Sequence, residues 1–215
     1  MRNRSLVYGF GVSAGLFALW SFLLFHTDFL RSVDNQIYDI ISHWKSPLWL
    51  YLNARISFLG DWKFILFLSV VLGIYLLCRG WRREALWPLV SVVLAMKITV
   101  MLKSYFVRIR PLALDPHTLW KNFAYPSGHS SESFVFYGMM IWILAKLFPH
   151  HSWAKKSKWG IALLVAAIGL SRIFLGVHWM SDVVGGFLLG ASWVFLNLIL
   201  TRKLSFFQKS HAQKV

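Results

Sequence analysis

Residues 159–201 read WGIALLVAAIGLSRIFLGVHWMSDVVGGFLLGASWVFLNLILT. Two apolar runs, Trp159 to Leu175 and Val183 to Thr201, flank a short break that holds Gly176, His178 and Asp182. Each run approaches the roughly 20 residues with which a helix crosses a bilayer. In hydrocarbon every backbone N–H and C=O must find its partner inside the segment, so the runs read as helices and the break as a turn at one membrane face. Working outward, Leu6 to Phe25, Trp62 to Cys78, Ala85 to Leu102 and Ser133 to Phe148 have the same character, and the shorter ones borrow length from their flanks. The expected fold is all-α, a polytopic bundle of six transmembrane helices in a single domain.

Composition agrees with a membrane as the solvent. Of 215 residues, 57% are hydrophobic and 14% charged, more apolar than a soluble domain of this size needs for its core. Trp20, Trp62, Trp81, Trp87 and Trp159 stand near the ends of apolar runs, at the headgroup level that indole rings prefer. The 23 basic residues outnumber the 8 acidic ones, for a formal charge of +15. In a soluble protein that excess would raise nucleic acid as a partner. Here Lys and Arg mostly flank apolar spans, so the expected partner is the bilayer and no nucleic acid is expected. With both termini in the cytoplasm, the inner segments hold 13 Lys and Arg and the outer ones 9, the sense of the positive-inside rule. The first span follows Arg2 and Arg4 and lacks a small-x-small cleavage pattern at His26 to Leu30, so it is expected to remain as an anchor. The lone Cys78 lies within a span and is assigned no role.

Residues 30–60 form the longest connection. Ile37, Ile40, Ile41 and Trp44 fall at helical spacing, with Asp34, Asp39 and His43 between them, the pattern of an interfacial helix. Pro47 interrupts it, and Leu48, Trp49, Leu52, Ile56 and Leu59 continue an apolar pattern to Gly60 and Asp61. The segment reads as packing against the bundle, with a shelf for a lipid as the other reading.

Polar groups inform most where the bilayer makes them expensive, and three clusters stand at the outer ends of spans three to six. The first, Lys-Ser-Tyr-Phe-Val-Arg-Ile-Arg-Pro, runs from Lys103 through Arg108 and Arg110 to Pro111. If helical, it puts Lys103 and Arg110 nearly on one face, about 10 Å apart in rise, with Pro111 as the stop. Cations so placed can collect an anion, and Arg grips phosphate oxygens by two parallel hydrogen bonds. A basic patch snorkelling to the headgroups is the alternative.

The second cluster is Tyr125-Pro126-Ser127-Gly128-His129-Ser130-Ser131. Gly128 permits a turn that comes close to a ligand, the amides entering the next helix suit phosphate oxygens, and His129 is placed to donate a proton. An ordinary turn and helix cap is the bland reading. The third is Ser171-Arg172, His178 and Asp182. Four residues apart on a helix, the Asp182 carboxylate can hold one ring nitrogen of His178 and leave the other free to attack, a nucleophile with its orienting group. A buried pair that locks two helices together is the alternative. Lys97, inside span three, either tunes the site, faces a bundle cavity or snorkels outward.

Together, Lys-x6-Arg-Pro (Lys103 to Pro111), Pro-Ser-Gly-His (Pro126 to His129) and Ser-Arg-x5-His-x3-Asp (Ser171 to Asp182) resemble the three-part motif of the type 2 phosphatidic acid phosphatase (PAP2) superfamily, with every defining position filled. The resemblance implies a membrane-integral, acid-phosphatase-type hydrolase of a lipid phosphomonoester or diphosphate. It casts His178 as the nucleophile that becomes a phosphohistidine, Asp182 as its orienting group, and His129 as the acid that protonates the leaving group and then the base that activates water. Lys103, Arg110, Arg172, Ser127 and Gly128 would bind the phosphoryl oxygens. No cofactor is implied. After Lys103 only Asp115, Glu132 and Asp182 are acidic, too few for a carboxylate-rich two-metal centre, and the cations take the metal's place.

Undecaprenyl diphosphate, phosphatidylglycerol phosphate, phosphatidic acid and phosphorylated lipid A are the candidate substrates, the first two favoured by an outward-facing site. A phosphotransferase to another lipid is not separated from a hydrolase by the motif. Haloperoxidases, whose vanadate site resembles this phosphate site, are soluble. A transporter would place charges or broken helices near the midplane of two matching halves, whereas these residues cluster at one mouth.

Overall fold

The computed structural model describes residues 3–44, 46–111 and 123–212. Asp115 and the basic residues Arg2, Lys45, Lys121 and Lys214 lie outside them. The described residues form eight helices: α1 (Asn3–His26), α2 (Phe29–Ser42), α3 (Pro47–Phe58), α4 (Trp62–Cys78), α5 (Arg82–Phe106), α6 (Gly128–Leu147), α7 (Ser152–Phe174) and α8 (Met180–Ala212). Each of the six expected spans coincides with a helix, and residues 30–60 form α2 and α3. Ser46 caps α3 by accepting from Trp49 N–H at 3.2 Å, with Pro47 in its first turn. There the missing proline N–H costs nothing. Asp61 caps α4 by accepting from Lys63 N–H at 2.9 Å.

Among the described residues, five stretches are long and apolar enough to cross a membrane: Arg4–His26, Pro47–Cys78, Glu84–Phe106, Ser152–Phe174 and Met180–Arg202. α6, the fourth expected span, is not among them. Its first turns read Gly-His-Ser-Ser-Glu-Ser, and this polarity dilutes the apolar run behind them. Those turns are enclosed by the bundle: Ser130, Ser131, Glu132 and Ser133 are all buried.

α8 packs along α1 and α6, and α6 also contacts α4, α5 and α7. Val135, Phe136 and Tyr137 of α6 meet Ile65, Val92, Val165, Ile168 and Val194 from the helices around it. With no hydrophobic drive between helices in lipid, close approach at small residues supplies the contact. A Cβ on Gly169 would stand 2.4 Å from the Phe187 ring, and one on Gly9 2.6 Å from the Phe195 ring. The large apolar side chains left outside, such as Leu16, Phe67, Val100 and Leu163, face the bilayer. Lys97 is exposed with Leu94 and Met101 on the outward side of α5, so it faces no bundle cavity. α1 runs antiparallel to α8: Trp20 Nε1 donates to Ser181 O at 3.0 Å near one end, and Gly9 meets Phe195 towards the other. Both terminal segments therefore lie at the end opposite the three polar clusters.

Candidate active site

At the polar end, α5 stops at Phe106, and Val107 follows in the left-handed region at φ 50°. A β-branched residue there costs about 1–2 kcal/mol, so surrounding contacts hold it. The helix therefore does not continue to Pro111, and Lys103 and Arg110 are not stacked on one helical face. The chain instead turns so that Arg108 and Arg110 point inward, and Ala124 N–H donates to Arg108 O at 2.7 Å. Lys103 Nζ donates to Phe123 O at 2.6 Å and Ala124 O at 3.1 Å. It thereby braces the chain entering the Pro-Ser-Gly-His turn while lying within electrostatic reach of His129 and His178.

Ser127 is the N-cap of α6, its hydroxyl accepting from Ser130 N–H at 3.4 Å and Ser130 Oγ at 3.0 Å. Gly128 opens the helix, so the first-turn amides and their partial positive charge lie beside it. Ser127 N–H donates to Asp182 O at 3.0 Å, which joins this turn to the start of α8. The two segments touch at Gly186, where a Cβ would stand 2.6 Å from Ser127 O. His129 sits beside the α3–α4 turn, 3.5 Å from where a Cβ on Gly60 would lie, and within electrostatic reach of Arg172, His178, Arg110 and Lys103.

α7 ends at Phe174, and Gly176 at φ 70° supplies the left-handed residue that reverses the chain. Val177 and His178 N–H groups fold back onto Arg172 O at 3.2 and 3.3 Å. His178 Nδ1 lies 3.3 Å from Asp182 Oδ2, which also accepts from Trp179 N–H at 2.9 Å. His178 is 2% exposed and Asp182 0%. Burial, then the charges of Lys103, Arg110, Arg172 and Arg108, holds the His178 imidazole well below the ordinary histidine value. A neutral ring with its proton on the nitrogen facing the carboxylate would keep a lone pair on Nε2.

Arg172 Nη1 donates to Ser57 Oγ of α3 at 2.5 Å, while its Nε is buried with no hydrogen-bond partner. A buried N–H left so costs about 1–3 kcal/mol, which an anion's oxygen would offset. Arg110 Nη1 lies 3.4 Å from Val177 O. Burial lowers the Arg110 guanidinium from its ordinary range, and Asp182 partly opposes the shift. All eight candidate residues, Lys103, Arg110, Ser127, Gly128, His129, Arg172, His178 and Asp182, thus lie at one end of the bundle. Such a set can take a phosphate-sized anion, present a neutral imidazole nitrogen to it, and offer a second histidine for proton transfer.

The sequence reading named Asp34 and Arg108 without giving either a role of its own, and did not name Ser181. Asp34 is 2% exposed and accepts from Arg108 Nη2 at 2.6 Å, Ser181 Oγ at 2.5 Å and Ser181 N–H at 2.9 Å. Arg108 Nη1 donates to Asp182 Oδ1 at 2.5 Å and Ser181 Oγ at 2.7 Å. A signal existed: Asp34 falls at helical spacing on the stripe of Leu30, Ile37 and Ile41, so a carboxylate points where that helix packs.

Fold and site together define a membrane phosphatase. The sequence model of the PAP2 superfamily matches residues 84–205, more than half of the chain, and the chain belongs to that superfamily of phosphate ester hydrolases. It is 31% identical to phosphatidylglycerophosphatase B of Bacillus subtilis (strain 168) over 199 residues, 92% of this chain and 98% of that one. An undecaprenyl-diphosphatase of Sulfolobus acidocaldarius is 27% identical over 68% of this chain and 69% of its own. The crystal structure of a transmembrane PAP2 type phosphatidylglycerolphosphate phosphatase from Bacillus subtilis superposes with a TM-score of 0.81 at 27% identity, covering 91% of this chain and 97% of that one.

Proposed function

We propose that this protein hydrolyses a membrane lipid phosphomonoester or diphosphate through a phosphohistidine on His178, without a metal. The observation that carries the reading is the buried His178 imidazole, its Nδ1 3.3 Å from Asp182 Oδ2, within electrostatic reach of Lys103, Arg110 and Arg172. Nε2 of His178 attacks phosphorus, the bond to the lipid oxygen breaks, and that oxygen takes a proton from His129. Burial, then Arg172, His178, Arg110 and Lys103, hold the His129 imidazole well below the ordinary histidine value, so its proton arrives with the negative charge of the phosphate itself. Water then attacks phosphorus with His129 taking the proton, the P–N bond breaks, and inorganic phosphate leaves with the Nε2 lone pair restored. Lys103, Arg110, Arg172 and the amides at Ser127 and Gly128 hold the equatorial oxygens, whose charge must be stabilised throughout.

Phosphatidylglycerol phosphate is the first substrate in this reading, because the B. subtilis phosphatidylglycerophosphatase B aligns along nearly its whole length. Undecaprenyl diphosphate stands second. The site faces the outer side of the cytoplasmic membrane with both termini inside, supported by the distribution of Lys and Arg and by the position of the terminal segments opposite the site. The test is phosphate release by the purified protein in detergent with excess EDTA, wild type against His178→Ala, on these two lipids, phosphatidic acid and phosphorylated lipid A. Release that persists in chelator and vanishes in the variant is expected. Abolition by EDTA with rescue by magnesium, or a phosphorylated acceptor in place of free phosphate, would overturn it.

A further inference from the structure

The charge around Asp182 is arranged from outside the stretch that carries the family motifs. Asp34 belongs to α2, far upstream of residues 84–205. Its carboxylate and that of Asp182 are bridged by the two terminal nitrogens of one guanidinium, at 2.6 and 2.5 Å. The Arg108 side chain is only 12% exposed, and the two carboxylates 1% and 0%. Its guanidinium stands 5.6 Å from the Trp179 ring centroid, and Trp179 Nε1 donates to Ile109 O at 2.9 Å, so the arginine cannot swing away without breaking that clasp. Buried guanidinium–carboxylate contacts of this geometry are specific and costly to break from one side.

Two consequences follow from charge and geometry. One guanidinium between two carboxylates leaves the trio one net negative charge. Arg108 can therefore hold Asp182 by a hydrogen bond without cancelling the charge that Asp182 presents to Nδ1 of His178. With Asp34 neutral, Arg108 would pair with Asp182 alone and withdraw that charge as the imidazole becomes positive. Asp34 also accepts the Ser181 N–H at 2.9 Å, capping the first turn of α8 from another helix and setting where Asp182 stands.

We infer that Asp34, acting through Arg108, is a positioning residue for the His178–Asp182 pair, so that α2 is a working part of the active site. The inference rests on the reading of His178 as nucleophile. The experiment compares wild type, Asp34→Asn, Asp182→Asn and the double variant in detergent, measuring kcat, KM, melting temperature, and inhibition by vanadate and by inorganic phosphate. In the proposed mechanism vanadate would take the place of phosphorus at Nε2 and so report on His178, whereas phosphate would report mainly on the cations.

Asp34→Asn is expected to lower kcat about tenfold or more, to change KM by less than about threefold, and to weaken vanadate about tenfold while phosphate inhibition barely moves. In the Asp182→Asn background the same change should cost less than about threefold, because residues acting through one another are non-additive. Equal losses in both backgrounds, or a fallen melting temperature with kcat per folded molecule unchanged, would reduce Asp34 to a structural residue and overturn the inference. Should Asp34→Asn fail to fold, Arg108→Lys asks the same question, since it gives up the planar fork whose two separate nitrogens hold Asp34 and Asp182; undiminished vanadate affinity there also overturns it. Trapping of labelled phosphate on His178 in the wild type separates the two readings. If no label forms there the proposed mechanism fails, and if label forms and Asp34→Asn is silent the inference alone fails.

Discussion

Replacing Asp182 by Asn removes one buried charge and keeps the side-chain shape. In the proposed mechanism the His178 ring becomes positive as Nε2 bonds to phosphorus, and Asp182 Oδ2 stands 3.3 Å from Nδ1. At an effective dielectric of about 20, that attraction is worth about 5 kcal/mol, or between three and four decades in rate at about 1.4 kcal/mol per decade. The amide also sets N–H hydrogens against either Arg108 Nη1 or His178 Nδ1, so the tautomer with its lone pair on Nε2 is no longer enforced. The expected result is a kcat lowered about 10³- to 10⁴-fold with KM nearly unchanged, a loss of the kind seen when the acid of a hydrolytic triad is made neutral. The assay is single-turnover phosphate release in detergent, with the melting temperature measured on the same preparation. A loss under about tenfold in protein that remains folded would refute the role given to Asp182.

The acid limb of the kcat/KM profile should lie well below the ordinary histidine value of 6.5, because burial and the surrounding cations hold the His178 proton weakly. The neutral nucleophile then persists as pH falls and is lost only below that lowered value; a limb at the ordinary value would refute it. Arg172→Lys keeps the charge but gives up the fork that reaches Ser57 and the buried Nε. It should lower kcat/KM by about 10- to 100-fold, measured on the best lipid substrate, with retention of activity counting against Arg172 as a phosphate ligand. Gly186→Ala puts a Cβ 2.6 Å from Ser127 O. Forcing backbone apart there should cost about 1–3 kcal/mol in thermal unfolding and reduce activity by displacing the Ser127–Gly128 turn; an unchanged protein would show that this contact is loose.

The spans were legible because lipid leaves an apolar chain only the helix, and the three clusters because each joins residues that act within a few positions of one another. His178 and Asp182 lie one turn apart, so their spacing carries their contact. Val107 was not legible: nothing about a valine in an apolar run announces a left-handed residue, yet it ends α5 and sends Arg108 and Arg110 inward. The first turns of α6 were legible only as a turn and cap ahead of the fourth span, whereas in the fold Ser130, Ser131, Glu132 and Ser133 are buried within the bundle.

Residue type and local spacing thus decided, within the sequence alone, that this is an apolar helical bundle with polar clusters at one end, and the resemblance to the PAP2 superfamily singled out the eight residues expected to form a phosphate site there. What only the tertiary structure decided is the partnership between segments: Ser57 with Arg172, Lys103 with the carbonyls of Phe123 and Ala124, and Asp34 with Arg108 and Ser181. Those contacts span 20 to 147 positions along the chain. The physical reason is that hydrogen bonds depend on distances of about 3 Å in space, which helical periodicity transmits over a turn or two and only the packing of whole helices can set beyond that.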